Sequence, residues 1–278
     1  MSGLAVVSGE ALPYLFLLLL LEIAMGGLAL LLAVDWRRLV AASYVKLCSS
    51  MLGVLAGLAW AVSLALPNDD AVGSYPLELA PLRPVQGSLA ALFILASLYA
   101  LASLWGRRRP ALILGSGAVA SGLLAVALLA WLLSPPVFSY GTLLLSLLLG
   151  SLAAGAVSMD MVWGHWYLVT PRLATRPLSQ MTFFLFAVLT LESCLAVANA
   201  LLPVRQPPSD LGLAASPLFW LRLVPGLLFA LALTFRAWQL SFQSATQEAT
   251  GLLYLAMGAV LGGEILGRAL LFATAVPV

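Results

Sequence analysis

The sequence predicts an all-α, polytopic membrane protein that crosses the bilayer about eight times as hydrophobic helices. Of its 278 residues, 63% are hydrophobic and only 9% are charged, whereas an ordinary soluble domain is about 45–50% apolar and about 25% charged. The apolar residues form eight runs, which Pro, Gly and charged residues separate. Each run has the roughly 20 residues that a helix needs to cross a hydrocarbon core about 30 Å thick. An apolar excess of this size requires lipid as the solvent.

The eight predicted spans follow these runs in order along the chain. They cover residues 12–34, 39–66, 85–105, 111–133, 142–169, 181–202, 218–240 and 251–276. Membrane β-strands would instead alternate apolar and polar residues in segments of about ten. The N-terminus lacks the basic start of a cleavable signal peptide, so we expect the first run to remain as a span.

Basic residues favour one orientation in the membrane. The odd-numbered connections and their flanks carry Arg37, Arg38, Arg107, Arg108, Arg109, Arg172, Arg176 and Arg236. The even-numbered connections carry Arg83 and Arg205 together with the acidic residues Asp69, Asp70, Glu78 and Asp210. The positive-inside rule then places the odd connections in the cytoplasm and both termini outside it. We expect a bacterial-type inner (plasma) membrane as the location.

A weak internal repeat predicts a single transmembrane domain, 1–278, made of two four-helix halves of about 1–137 and 138–278. Gly-Gly-Leu-Ala-Leu at 26–30 resembles Gly-Ser-Leu-Ala-Ala-Gly-Ala at 150–156. Small residues let helix backbones approach closely, so packing is the simpler role for these glycines, and a functional role is the alternative. No connection exceeds about eighteen residues, so any chemistry occurs in the helix bundle, at its surface or in a partner chain.

Five of the ionisable residues within the predicted spans form a first set of candidates, and they need partners because a charge at mid-bilayer costs roughly 2.5–3.5 kcal/mol on insertion scales. Glu22 and Glu192 lie near the middle of spans one and six. Glu264 and Arg268 are four residues apart in span eight, a spacing that permits an ion pair on one helix face. Arg222, near the outer end of span seven, is placed to join them. The set either holds the helices in register or conducts protons and contacts a polar ligand group.

Three further residues are candidates at the cytoplasmic side. Lys46 and Asp160 fall in the cytoplasmic halves of spans two and five, and we predict an ion pair between them. His165 lies in the sequence Trp-Gly-His-Trp-Tyr near the end of span five. This aromatic cluster is either an interfacial belt or a site for a quinone or lipid head group, with His165 as hydrogen-bond partner or proton carrier.

Composition excludes several classes of function. A single histidine rules out bis-histidine ligation of a haem within this chain. The two cysteines, Cys48 and Cys194, lie inside apolar runs without metal-ligand spacing, so we expect no metal in the chain. The net charge of only +2 argues against a nucleic-acid partner. Nucleotide-binding loops and dinucleotide fingerprints are absent from the connections.

The end of the chain carries a family resemblance. The stretch 262–272, Gly-Gly-Glu-Ile-Leu-Gly-Arg-Ala-Leu-Leu-Phe, resembles the C-terminal Gly-Glu-Leu-Ile-Gly-Arg-x-x-Phe-Tyr segment of the dimethyl sulfoxide reductase membrane anchor subunits. Pro13 with the later Ala-Met-Gly-Gly at 24–27, and Trp220-Leu-Arg222 at the start of span seven, are similar to the same family. The glycine-rich run in span five is similar to one in the related polysulfide-reductase-type anchors.

This resemblance implies a haem-free anchor subunit that binds menaquinol or ubiquinol non-covalently. Such a subunit passes electrons to an iron–sulfur partner, which feeds a molybdopterin-type or other redox subunit. Glu264, Arg268 and Arg222 would shape a polar pocket in the outer half, with Glu22 and Glu192 as proton-transfer candidates. Whether the chain itself oxidises the quinol or only anchors its partners stays open.

Two other functions fit the residues. A secondary transporter would use two helical halves around buried carboxylates, and Pro225-Gly226 would interrupt its seventh helix. A purely structural subunit would hold a larger membrane complex together. Solute uptake by the chain in liposomes tests the transporter. The structural role is supported if every buried carboxylate can be neutralised without loss of turnover.

Overall fold

The computed structural model describes residues 9–170, 175–202, 204–207 and 213–278. In these residues, eight helices are long and apolar enough to cross a membrane, which confirms the predicted all-α polytopic fold. They are α1 (Leu12–Trp36), α2 (Ala42–Leu64), α3 (Leu82–Leu104), α4 (Arg108–Leu132), α5 (Tyr140–Val169), α6 (Arg176–Ala200), α7 (Pro217–Phe242) and α8 (Thr246–Thr274).

The observed helices begin and end close to the bounds of the predicted spans. The start of α6 is one of the largest differences between an observed bound and a predicted one. The helix begins at Arg176 rather than at 181, because Pro177 occupies its first turn. Proline is favoured there, since its fixed φ suits a helix and its missing N–H has no partner in a first turn. Hydropathy alone places the start at the first apolar residues instead.

Helix α7 is not a uniform α-helix. An α-helical turn, Pro217–Leu221, leads into a π-helical segment, Arg222–Phe229, and α-helix resumes over Ala230–Phe242. Pro225 lies inside the π-helical segment, where it removes a backbone donor and disfavours regular α-helical hydrogen bonding. Short π-helical segments within α-helices are frequent at functional sites.

The connections gather at two ends of the bundle. Arg108 at the start of α4 donates from Nη2 to the backbone oxygen of Asp35 at the end of α1, at 2.6 Å. We call this end, with the odd-numbered connections, the basic end. At the opposite end, Asn199 of α6 donates to the Pro277 oxygen at 2.7 Å, and the Arg205 N–H donates to the Pro136 oxygen at 3.0 Å.

Two residues of the predicted charge bias, Arg172 and Asp210, lie outside the described residues. Which end of the bundle faces the cytoplasm stays a prediction from the basic residues. A two-stranded antiparallel hairpin, β1 (Ala71–Val72) and β2 (Tyr75–Pro76), lies in the second connection. The buried Tyr75 hydroxyl donates to the Leu133 oxygen at 2.5 Å, which fixes this connection against the end of α4.

The same packing pattern occurs in the first four helices and in the last four. In the first four, α1 and α3 each pack against α2 and α4; in the last four, α5 and α7 each pack against α6 and α8. The two sets meet chiefly along α1 and α5. Further contacts of α4 with α5, and of α1 with α8, flank this central contact.

Glycines bring α1 and α5 into backbone contact. A methyl group added at Gly26 would lie 1.7 Å from the backbone oxygen of Ser151, and one at Gly155 would lie 2.1 Å from the backbone nitrogen of Gly27. These positions therefore have no room for a side chain. Such close approach by small residues is a principal source of helix association in lipid, where apolar burial gives little driving force.

Candidate functional site

Five ionisable side chains from four helices form one buried group, which we call the ion cluster. Its members are Glu22 of α1, Glu192 of α6, Arg222 of α7, and Glu264 and Arg268 of α8. None is more than 3% exposed. The sequence predicted these five residues as candidates, and the fold brings all of them together. Buried charges are stabilised only when they are paired and hydrogen-bonded, which this arrangement provides in part.

Arg268 links three helices at the cluster. Its Nε donates to Glu22 Oε1 at 2.6 Å, and its Nη2 donates to Glu264 Oε2 at 2.9 Å. The second contact is the four-residue ion pair that the spacing in span eight permits. Ser146 of α5 accepts from Nη1 through its hydroxyl at 3.2 Å. One guanidinium therefore joins α1, α5 and α8.

Arg222 extends the cluster to α6 and α7. Its Nη2 donates to Glu264 Oε1 at 3.0 Å and also to Glu192 Oε1. Glu264 thus accepts from both arginines, one at each carboxylate oxygen. Arg222 is the first residue of the π-helical segment, so the irregular turn of α7 carries the side chain that bonds to α6 and α8.

The ion cluster contains three carboxylates and two guanidiniums. With both arginines charged, electrical neutrality requires one of the carboxyl groups to carry a proton. Glu264 has both oxygens hydrogen-bonded, whereas Glu22 Oε2 and Glu192 Oε2 have no hydrogen-bond partner among the described residues. Glu22 and Glu192 are therefore the carboxyl groups whose geometry leaves an oxygen available for a proton.

Glycines make room for the two guanidiniums. A methyl group at Gly150 would lie 2.1 Å from Arg268 Nη2. One at Gly263 would lie 2.8 Å from Arg222 Nη1, and one at Gly267 would lie 3.1 Å from Arg222 Nε. Sequence reasoning assigned Gly150 a packing role between helices and overlooked its contact with the arginine. The four-residue spacing of Gly263 and Gly267 on one face of α8 is a signal in the sequence for the space beside Arg222, but not for the contact of Gly150 with Arg268.

The predicted ion pair between Lys46 and Asp160 is wrong. The two side chains form no salt bridge, and Lys46 does not lie on the side of α2 that faces Asp160 of α5. Tyr44 of α2 donates to the Met159 oxygen of α5 at 2.8 Å, so this face of α2 is turned toward Asp160. Lys46, two residues on, is rotated by about 200° around the helix. Asp160 is fully buried, and its oxygens have no hydrogen-bond partner within the described ranges.

The aromatic cluster around His165 divides between core and surface. Trp163 is buried and packs edge-on against Tyr44 of α2, with ring centroids 4.8 Å apart. His165 lies on the surface of the bundle, where its Nδ1 is 2.7 Å from the Tyr254 hydroxyl of α8. An interfacial belt therefore does not describe Trp163, and His165 does not contact the ion cluster.

An apolar cleft of about 260 Å³ lies between α1 and α6, over α5. Its lining includes Ala29 and Ala33 of α1 and Met181 and Phe184 of α6, with Arg37 and Gln180 as its polar members. Ala29 and Ala33 follow Glu22 by seven and eleven residues, which places them on the same face of α1, roughly 10 and 16 Å further along the axis. The cleft thus approaches the ion cluster from the basic end.

Comparison of the chain with protein-family models, with curated proteins and with solved structures yields no match. The features of the molecule that indicate a function are therefore the ion cluster, the α1–α6 cleft and the motif in α8.

Proposed function

We propose that this chain is a haem-free, quinone-interacting membrane subunit of an electron-transfer complex in a bacterial-type inner membrane. The observation that carries the proposal is the position of Glu264 and Arg268. These two residues of the dimethyl sulfoxide reductase anchor-like motif are the centre of the ion cluster, where Glu264 bonds to both arginines and Arg268 bonds to both Glu22 and Glu264. The partners proposed are an iron–sulfur subunit and a molybdopterin-type or other redox subunit.

The chemistry proposed for the chain is proton acceptance during quinol oxidation. Oxidation of menaquinol or ubiquinol to menaquinone or ubiquinone releases two electrons and two protons. The electrons pass to the iron–sulfur partner, and the protons need acceptors within the low-dielectric bundle. Glu22 and Glu192 suit that role because each has an oxygen without a hydrogen-bond partner in the part of the chain that the structure describes. Glu264, held at both oxygens, acts as the bridge between the arginines.

The α1–α6 cleft is the proposed place for the quinone. The cavity beside Glu22 is too small for one water molecule, so it does not hold a quinone ring. The cleft is apolar along its length and has hydrogen-bond donors, Arg37 and Gln180, at one end. Pockets of this type, with few polar groups in an apolar lining, are typical of small-molecule sites.

The role of the α1–α6 cleft in quinone binding is tested by placing a larger side chain in it. In the complex purified by mild detergent extraction, we expect Ala33→Phe to weaken binding of a fluorescent quinone analogue about tenfold or more, because the ring enters the cleft. Ala61→Phe on α2, which adds the same group at another exposed alanine, should leave binding unchanged. Absence of analogue binding to the unmodified complex, or equal effects of the two variants, would remove the proposal. Iron and labile sulfide in the purified complex report the partner independently.

The proton role is tested at Glu22. Glu22→Gln keeps an acceptor for Arg268 but removes the group that takes up a proton, so we expect quinol-dependent turnover to fall about a hundredfold. Glu248→Gln, an exposed residue in the first turn of α8, should retain turnover. Full turnover in Glu22→Gln would show that this carboxyl group has no part in proton transfer.

A secondary transporter is the second candidate, and the π-helical break in α7 favours it. Interrupted helices beside buried charges at the interface of two similar halves are a common arrangement in transporters. Here the break begins at Arg222 itself. Solute uptake by the isolated chain in liposomes would support this candidate, while co-purification with an iron–sulfur subunit would support the first.

A further inference from the structure

A second cleft, of about 230 Å³, opens at the basic end of the first four helices. We call it the basic cleft. Its lining comes from the end of α1, the start of α2, the end of α3 and the start of α4. The charged side chains in it are Asp35, Lys46 and Arg108. None of these groups belongs to the ion cluster or to the α1–α6 cleft.

The basic cleft has a surplus of positive charge. Arg108 is held by α1, because its Nε lies 3.5 Å from Asp35 Oδ1 and its Nη2 donates to the Asp35 and Trp36 backbone oxygens. This pair leaves Lys46 without an ion pair or a side-chain hydrogen bond among the described residues. Within the described residues, therefore, one cation in the cleft has no partner.

Two helix N-termini and two helix C-termini meet at the basic cleft. Ala42 and Val45 in the first turn of α2, and Arg108 and Ala111 in the first turn of α4, line the cleft. The backbone N–H groups of Val45, Arg108 and Ala111 are hydrogen-bonded to backbone oxygens, so these turns act only through the positive end of the helix dipole. The ends of α1 and α3 bring the negative end of the dipole to the same cleft, so Lys46 is the group that attracts an anion.

A buried hydroxyl lines the same cleft without a partner. Ser103 of α3 is only 9% exposed, and its Oγ has no hydrogen-bond partner in the described structure. An unpaired buried hydroxyl costs free energy unless a ligand or water bonds to it. Because it lines the same cleft as Lys46 and Arg108, its hydroxyl is suited to donate to an anion there.

Two exposed tryptophans beside the cleft favour a lipid head group as the source of such an anion. Trp36 and Trp105 border it in sequence, and they are 66% and 71% exposed. Exposed tryptophans of this kind lie at the level of the lipid head groups. Basic pockets between transmembrane helices on the cytoplasmic side bind the head groups of anionic lipids.

We propose that the basic cleft binds the phosphodiester head group of an anionic phospholipid, with Lys46 as its cation and Ser103 as its buried hydrogen-bond donor. This site is independent of the proposed quinone function. The shared chemistry of lipid head group and free phosphate is the phosphate oxygen, so the experiment includes both sources.

The test is native mass spectrometry of the purified chain titrated with phosphatidylglycerol or phosphatidylcholine. We expect one phosphatidylglycerol molecule to be retained in preference to phosphatidylcholine, and Lys46→Met to reduce that preference about fivefold. Lys46→Arg, which keeps the charge, should preserve it. Arg236→Met, which removes a cation from the exposed surface of α7, should also leave it unchanged.

Ser103→Ala is a second test, whose result does not depend on whether the lysine variant folds. It keeps every charge, and we expect it to weaken retention of phosphatidylglycerol about twofold to threefold. Equal retention of the two lipids by the unmodified chain would overturn the proposal. So would a preference that survives both Lys46→Met and Ser103→Ala. Displacement of the lipid by millimolar inorganic phosphate would overturn the lipid as the ligand.

Discussion

Arg268→Met is expected to lower the free energy of unfolding by about 3–5 kcal/mol, the typical cost of removing one partner from a buried ion pair. The substitution leaves Glu22 with no cation and Glu264 with only Arg222. Methionine fills much of the volume of the arginine stem, so lost charge rather than a cavity dominates the effect. Unfolding by SDS titration in mixed micelles, with helical circular dichroism as the readout, measures it.

Two comparisons separate charge loss from other effects of Arg268→Met. Arg236→Met removes an exposed arginine whose Nη1 donates to Gln239 Oε1, and it should cost less than about 1 kcal/mol. Adding Glu22→Gln to Arg268→Met removes the uncompensated carboxylate and should restore part of the lost stability. If Arg268→Met costs no more than Arg236→Met, the ion cluster does not stabilise the fold.

Gly26→Ala is expected to destabilise the protein by about 1–3 kcal/mol or more, the usual range for overpacking. The new methyl group would lie 1.7 Å from the backbone oxygen of Ser151, which no side-chain rotation can move away. The α1–α5 contact must therefore separate. The same SDS titration measures the loss.

Gly258→Ala is the matched control for Gly26→Ala, because a methyl group at Gly258 of α8 has no neighbour within 4 Å. There we expect no loss, or a gain of up to about 1 kcal/mol, since alanine favours helix over glycine. Similar stability of the two alanine variants would mean that α1 and α5 do not depend on close backbone contact.

The helices and the members of the ion cluster were predictable from the sequence for one physical reason. A chain this apolar has few places for ionisable groups, so those within spans need one another. The Glu264–Arg268 pair follows from four-residue spacing on one helix. The pairing of Glu22 with Arg268, and of Glu192 with Arg222, depends on which helices are neighbours, and the sequence carries no such information without homologues.

The error at Lys46 and Asp160 has a different origin. The prediction compared the depths of two residues in the membrane and ignored their rotation about the helix axes. Tyr44 faces α5, and Lys46 faces the basic cleft. Likewise, Pro225-Gly226 indicated an interruption in span seven, but not that the π-helical segment would begin at Arg222. Clefts between helices arise from the absence of contacts, which a hydropathy pattern does not record.

The two sets of four helices contribute unequally to the charges of the ion cluster. Glu192, Glu264, Arg222 and Arg268 all come from the last four helices, and together they sum to zero formal charge. Glu22, from α1, is the surplus anion. Docking of the first four helices onto the last four therefore delivers one acidic group to a site that is already balanced. If the assembled site is electrically neutral, the one proton that it holds is a product of that docking.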